Sequence, residues 1–171
     1  MVRVTRRMRG YYRDEAWSRH GDRLWTREGH NLIVNEFGVL LAALCSGQGG
    51  YAGITWWAVG QGESSWDTSG TPEPSVTQTT LIDEIARVQP TLTYLDANGN
   101  PTTTVTNVVQ ATAVFGLGVA NGSLREQGLF GGTATSAANT GQMIDAVNNA
   151  IISKPSGSGD FVLTRVISLT L

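Results

Sequence analysis

A chain of 171 residues in which 15% are charged and 21 are glycine has the length of one domain with a sizeable core, and the composition of a β-rich fold with many turns. Its formal net charge of -2 conceals a split: residues 1–30 hold eight arginines against four acids, and residues 31–171 hold four basic groups against ten acids, so the N-terminal part is expected to meet a partner of opposite sign. The single cysteine, Cys45, leaves no internal disulfide, and the longest apolar run, Phe37 to Cys45, is far short of a bilayer span.

In chain order, Val2-Arg3-Val4-Thr5 alternates as a short strand or an arm, and Tyr11-Tyr12-Arg13-Asp14-Glu15 stands where a secretory leader would be apolar, so none is expected. Residues 11–17 and 23–28 read as the strands of a hairpin around a glycine-containing loop. A helix is predicted over about 35–46. Asn35 is its expected N-cap, Glu36 suits the positive end of the dipole, Phe37, Leu40, Leu41 and Leu44 follow i, i+3, i+4, i+7 spacing, and Ser46–Gly50 ends it. Cys45, at the apolar end, is expected to be buried.

Ile54–Val59 has strand composition and enters Gly60-Gln61-Gly62. The Ser/Thr/Pro-rich stretch 61–78 is a loop long enough to be expected to make contacts. Residues 81–88 fit a helical turn or a strand equally. Thr91–Leu95 and Thr102–Phe115 are β-branched strands around the turn signal Asp96–Pro101, Ser123–Phe130 is a shorter strand, and 131–141 a loop. Residues 142–152 place Met143, Ala146, Val147, Ala150 and Ile151 at helical spacing, yet they lead into Lys154–Gly159 and a final alternating strand, Phe161–Leu171. About eight strands and one helix predict a two-layer antiparallel β-sandwich, with residues 1–28 as basic arm and hairpin and 29–171 as body.

Chemical sites find little support. His20 and His30, with Asp22 and Glu28 nearby, have no specific metal-ligand spacing. Asp96-x-Asn98-x-Asn100 lacks the glycine and the closing acid of a calcium loop. Gly60-Gln61-Gly62 and Gly116-Leu117-Gly118 lack the helix and lysine of a phosphate loop. The acid pairs Glu63/Asp67 and Asp83/Glu84 are ordinary for surface loops, so no catalyst, cofactor or metal is expected. Five tryptophans are many for this length; Trp56 and Trp57 must point to opposite faces of a strand, and Trp57 and Trp66 are read as interface anchors in preference to sugar-stacking rings. The arginines Arg3, Arg6, Arg7, Arg9 and Arg13 are read as pairing across a subunit boundary in preference to nucleic acid, because they alternate with Tyr, Trp, Asp and Glu.

Four blocks occur in order: Gly29-His30-Asn31-Leu32-Ile33-Val34-Asn35 with Gly38 and Leu41-Ala42; Ile54-Thr55-x-x-Ala58-Val59-Gly60-x-Gly62; Leu81-x-x-Glu84-x-x-Arg87; and Leu124-x-Glu126-x-Gly128-Leu129-Phe130. Together they resemble small bacteriophage virion structural proteins of the tail and tail-fibre-collar type, over about residues 29–171. The resemblance implies a non-enzymatic, symmetric homo-oligomer in a virion: tail, collar or fibre attachment, baseplate or neck, with capsid decoration as an alternative. It also implies that 142–152 is a strand paired with the last one, and that Asn31, Asn35, Gly38, Gly60, Gly62, Glu84, Arg87, Glu126, Gly128 and Phe130 are scaffold. Expected partners are other virion proteins and further copies, not a membrane; the rival from another class is a carbohydrate-binding host-recognition module.

Overall fold

The structure, a computed structural model, describes residues 9–18, 20–157 and 159–168. Ten strands and two helices follow one another as β1 (Arg9–Trp17), β2 (Arg23–Ile33), α1 (Glu36–Cys45), β3 (Ala52–Gly60), α2 (Trp66–Ser69), β4 (Glu84–Val88), β5 (Thr91–Leu95), β6 (Pro101–Thr102), β7 (Val108–Phe115), β8 (Gly122–Gly132), β9 (Gln142–Lys154) and β10 (Phe161–Ser168). All pairings are antiparallel, in the order β4-β3-β8-β9-β2-β1-β10-β7-β5-β6. The order bends at β2, which pairs with β9 only through Leu32↔Ala146 and Ile33↔Asp145. Two layers therefore face each other, β4-β3-β8-β9 against β2-β1-β10-β7-β5-β6, as the mainly β sandwich reading required.

The period-2 rule of strands decides what fills the space between them. Along β10, Phe161, Leu163, Arg165 and Ile167 are buried while Val162 and Val166 are only half-buried. Along β7, Ala111, Ala113 and Phe115 are buried and Val114 is exposed. These residues meet Trp57 and Val59 of β3, Leu124 and Leu129 of β8, and Phe37 and Leu40 of α1 in one core. A smaller cluster of Ala58, Phe130, Met143 and Ala146 lies on the other face of the β3-β8-β9 layer, under Val34 and Leu81.

Residues 142–152 are strand, as the resemblance implied, but the implied pairing with the last strand is corrected: β9 pairs with β8 and, at Ala146 and Asp145, with β2, while β10 lies between β1 and β7. Of the ambiguous stretch 81–88, residues 84–88 form strand β4 and 81–83 end the preceding loop. Helix α1 ends in a Schellman turn, with Gly47 at φ +69, its N–H donating to Leu44 O and that of Gln48 to Ala43 O.

Two expectations about the helix are corrected. Asn35 makes no side-chain cap; its backbone is already in the right-handed helical region, and its N–H donates to Val76 O at 2.8 Å. The carboxylate of Glu36 serves β9 instead, accepting the N–H of Met143 at 3.0 Å. Cys45 is exposed, not buried, because one residue past Leu44 the helix has rotated about 100° away from the apolar stripe.

Candidate functional site

Three charged residues of the four sequence blocks, Glu84, Arg87 and Glu126, converge on the 61–83 and 133–141 loops beside the β4-β3-β8-β9 layer. Glu126, 1% exposed on β8, accepts three backbone N–H bonds from the 61–83 segment: from Gly62 at 3.1 Å, Ile82 at 2.9 Å and Asp83 at 2.8 Å. One carboxylate thus closes both ends of a 23-residue excursion. Gly60 is required beside it, since a Cβ there would lie 2.5 Å from Glu126 Oε1 and 2.6 Å from Asp83 O. Gly62, at φ +54, turns the chain under Trp66, whose ring would be 2.7 Å from an added Cβ.

Arg125 clamps the same loop from the next position. Its Nε and Nη2 bind Asp67 at 2.8 and 2.6 Å, and its Nη1 binds Gln61 O at 3.0 Å. The hydrogen bonds from Arg125 hold the Asp67 carboxyl below the usual range and raise the guanidinium above its own. Asn148 Nδ2 holds Pro72 O at 3.1 Å. The short helix α2, missed in the sequence because four residues carry no period, sits inside this frame.

Glu84 and Arg87 form the second clamp. Residues three apart on a regular strand face opposite sides, but the register slips between Val59↔Ala86 and Gly60↔Glu84, leaving Ile85 as an extra residue. That bulge turns Glu84 onto the face of Arg87. The pair is bidentate, at 2.5 and 2.8 Å, with side chains 1% and 3% exposed. Arg87 Nη1 reaches Thr135 O at 2.8 Å, Glu84 Oε2 accepts the Asn139 N–H at 2.8 Å, and the guanidinium lies 4.9 Å from the Phe130 ring centroid. Asn139 Oδ1 in turn accepts the Leu81 N–H at 3.2 Å. The 61–83 and 133–141 loops are held to each other and to the sheet. Gly128 belongs to the same layer as a close-packing position: a Cβ there would lie 2.7 Å from Asp145 O and Met143 Cε. Gly38 has no such role, since a Cβ there would meet nothing within 4 Å.

A further polar set, of which only Asn31 was singled out in the sequence, lies inside the sandwich. Arg165 Nη1 binds Asp145 Oδ2 at 2.5 Å and its Nη2 binds Gln127 Oε1 at 3.1 Å, both pairs buried. Gln127 Nε2 donates to Asp14 at 2.9 Å, Arg27 pairs with the same carboxylate, and Asn31 donates to Asp145. The Arg165 guanidinium lies 4.8 Å from the Trp57 ring and 5.7 Å from that of Tyr12. Two cations and two anions balance. The signal was present: Arg165 occupies an inward position between Leu163 and Ile167 on an alternating strand.

Trp57 and Trp66 are thereby corrected as interface anchors. Trp57 is fully buried, its Nε1 donating to Gln127 Oε1 at 3.2 Å, and Trp66 is 7% exposed over Gly62. The predicted opposition holds for the pair on β3, with Trp56 half-buried beside the smaller cluster. Arg13 is exposed but already faces carboxylates of its own hairpin, Glu15 at 2.8 Å and Glu28 at 3.6 Å. Arg3, Arg6 and Arg7 lie outside the described residues, as does the side chain of Arg9. His20 sits in the hairpin turn and His30 near the far end of β2, edge-on to Tyr11; among the described residues no three His, Cys, Asp or Glu are grouped to hold a metal.

Charge is segregated as a result. Of the described residues after His30, the four cations are Arg87, Arg125, Lys154 and Arg165, and each is committed inside the fold. Lys154, which burial pushes below its usual range despite nearby Asp160, donates to Gly116 O, Val119 O and Asn121 Oδ1 at 3.0, 2.8 and 3.2 Å. The acids Glu63, Glu73 and Asp83 on the clamped loop remain exposed. No helix among the described residues is long and apolar enough to cross a membrane. No protein-family model and no curated protein sequence matches the chain.

Proposed function

We propose that this chain is a structural subunit of a bacteriophage particle, in its tail, collar or fibre attachment, baseplate or neck, and that it works by contact with copies of itself and with other virion proteins. Assembly runs through the arginine-rich N-terminal segment and the clamped 61–83 loop. The observation that carries this reading is the charge segregation: every described cation of the body is turned inward, the 61–83 loop presents the exposed carboxylates of Glu63, Glu73 and Asp83, which pair with no Lys or Arg among the described residues, and the first nine residues add Arg3, Arg6, Arg7 and Arg9. A preformed anionic loop and a cationic segment on one chain suit head-to-neighbour pairing in a closed ring or trimer. The four sequence blocks point the same way, since Glu84, Arg87 and Glu126 spend their charge on fixing loop shape. Capsid decoration is the nearest variant of this reading.

Deleting residues 2–9 and measuring both oligomeric mass and incorporation into particles tests it; loss of assembly is expected, and unchanged assembly removes the segment from the account. The carbohydrate reading draws support from one recess of about 450 Å³ lined by Trp17, Leu117 and Asp160, because an aromatic ring beside a carboxylate suits a sugar. A glycan array with Trp17→Ala as control separates the two: tight binding by a single chain, lost in the variant, favours the rival.

A further inference from the structure

Every lysine or arginine of this chain is an arginine except Lys154. The one lysine ends β9 and is 3% exposed, where an amine is found only when it is held. Its Nζ lies 3.0 Å from Gly116 O, 2.8 Å from Val119 O and 3.2 Å from the side-chain Oδ1 of Asn121. Gly122 is opposite Lys154 in the β8–β9 register, so Asn121 stands one step before the residue facing the amine. The turn these contacts close is strained, with Ala120 at φ +58, a conformation that an L side chain adopts at a cost. Asp160 supplies a nearby carboxylate. Its charge acts on Lys154, and its Oδ1 is 3.7 Å from where a Cβ on Gly116 would lie.

A buried amine against a carboxamide, with a carboxylate at hand, is the set that amide transfer needs. We propose that Lys154 and Asn121 join in an intramolecular isopeptide bond that staples the entry of β8 to the end of β9. Nζ gives one proton to Asp160 and attacks Asn121 Cγ with the freed lone pair, while the C=O pair moves onto Oδ1. A second proton passes from Nζ to Nδ2, the Cγ–Nδ2 bond breaks as the Oδ1 pair returns, and ammonia leaves. It carries off the first proton as ammonium. One –NH3+ and one –CONH2 thus become a neutral amide and NH4+, with no oxidant or reductant. Burial holds Lys154 below its ordinary range, which favours the neutral, attacking amine, and the product removes a buried cation. Arginine in its place could keep the hydrogen bonds but, always charged, could not form this bond. The staple closes a loop over β8 and β9 and so restricts the unfolded chain as a disulfide does.

Mass spectrometry of the purified full chain tests the bond. Trypsin cuts after Arg125, and Lys154 is followed by proline, so Asn121 and Lys154 fall in the separate peptides Val88–Arg125 and Glu126–Arg165. An intact mass lower by one ammonia is expected, with the two peptides joined and fragment ions placing the junction at Asn121 and Lys154. Unfolded in denaturant, the chain then offers an amine-reactive reagent its α-amino group alone, since no other lysine exists. Lys154→Arg and Asn121→Ala are each expected to show no loss of ammonia and no joined peptide. Asp160→Asn is expected to slow the joining by roughly a hundredfold or more. Full mass and a labelled Lys154 after prolonged incubation overturn the proposal and leave a caged ammonium. Loss of ammonia confined to Val88–Arg125 overturns it as well, because Asn121-Gly122 closes a succinimide without the lysine. Joining at an unchanged rate in Asp160→Asn overturns the role given to the carboxylate.

Discussion

Replacing Glu126 by alanine removes the acceptor of three backbone N–H groups, those of Gly62, Ile82 and Asp83. An unsatisfied buried donor costs about 1–3 kcal/mol, and these three are partly buried, so the low end applies to each. The sum is about 3 kcal/mol, a large share of the roughly 5–15 kcal/mol that holds a domain together. Glu126→Gln keeps the shape but sets an amide NH₂ against at least one of the three N–H donors, and a loss of about 1–2 kcal/mol is expected. Urea unfolding gives the global cost, and hydrogen exchange of the Ile82 and Asp83 amides gives the local one. The reasoning predicts the order wild type, Gln, Ala, with exchange accelerating most at these two amides. An alanine variant with an unchanged midpoint and unchanged protection at Ile82 and Asp83 would refute the clamp.

Other variants probe the remaining parts. Arg165→Met strands the buried Asp145 carboxylate and is expected to cost about 3–5 kcal/mol; adding Asp145→Asn recovers part of it, and a double variant no more stable than the single would contradict the pairing, as read by chemical denaturation. Gly128→Ala forces a Cβ within 2.7 Å of Asp145 O and lowers the melting temperature, whereas Gly38→Ala meets nothing and gains up to about 1 kcal/mol of helix propensity; equal effects at the two glycines would show the β8–β9 packing to be misjudged. The pH dependence follows from Asp67, whose carboxyl the Arg125 hydrogen bonds hold low. Its stabilisation is complete above the unfolded value of about 3.9 and is lost as pH falls through the lower folded value. Acid melts of wild type and Asp67→Asn therefore converge at low pH and diverge near neutrality, and parallel curves throughout would count against the pair.

Much of the fold was legible because β-branched runs and glycine turns fall at regular spacing, and because inward parity on β7 and β10 is carried by Ala, Phe, Leu and Ile. Helix α1 was legible from Phe37 and Leu40, while its entry was not: Asn35 spends its backbone N–H on Val76, a contact 41 positions away that no local rule contains. Glu84 and Arg87 stood out by type and spacing, but their pairing depends on one extra residue in β4 that only the register with β3 reveals. Trp57 shows the opposite failure. Its apolar area suggested an anchor, and the deciding fact, a guanidinium from β10 stacked on its ring, lies 108 residues further along the chain.

Sedimentation velocity of the purified full chain, across concentration and salt, tests the central claim most directly. A subunit that assembles through opposite charges is expected to form one discrete closed oligomer at low salt that dissociates as salt rises. A chain that sediments at single-chain mass at every concentration and salt would contradict it.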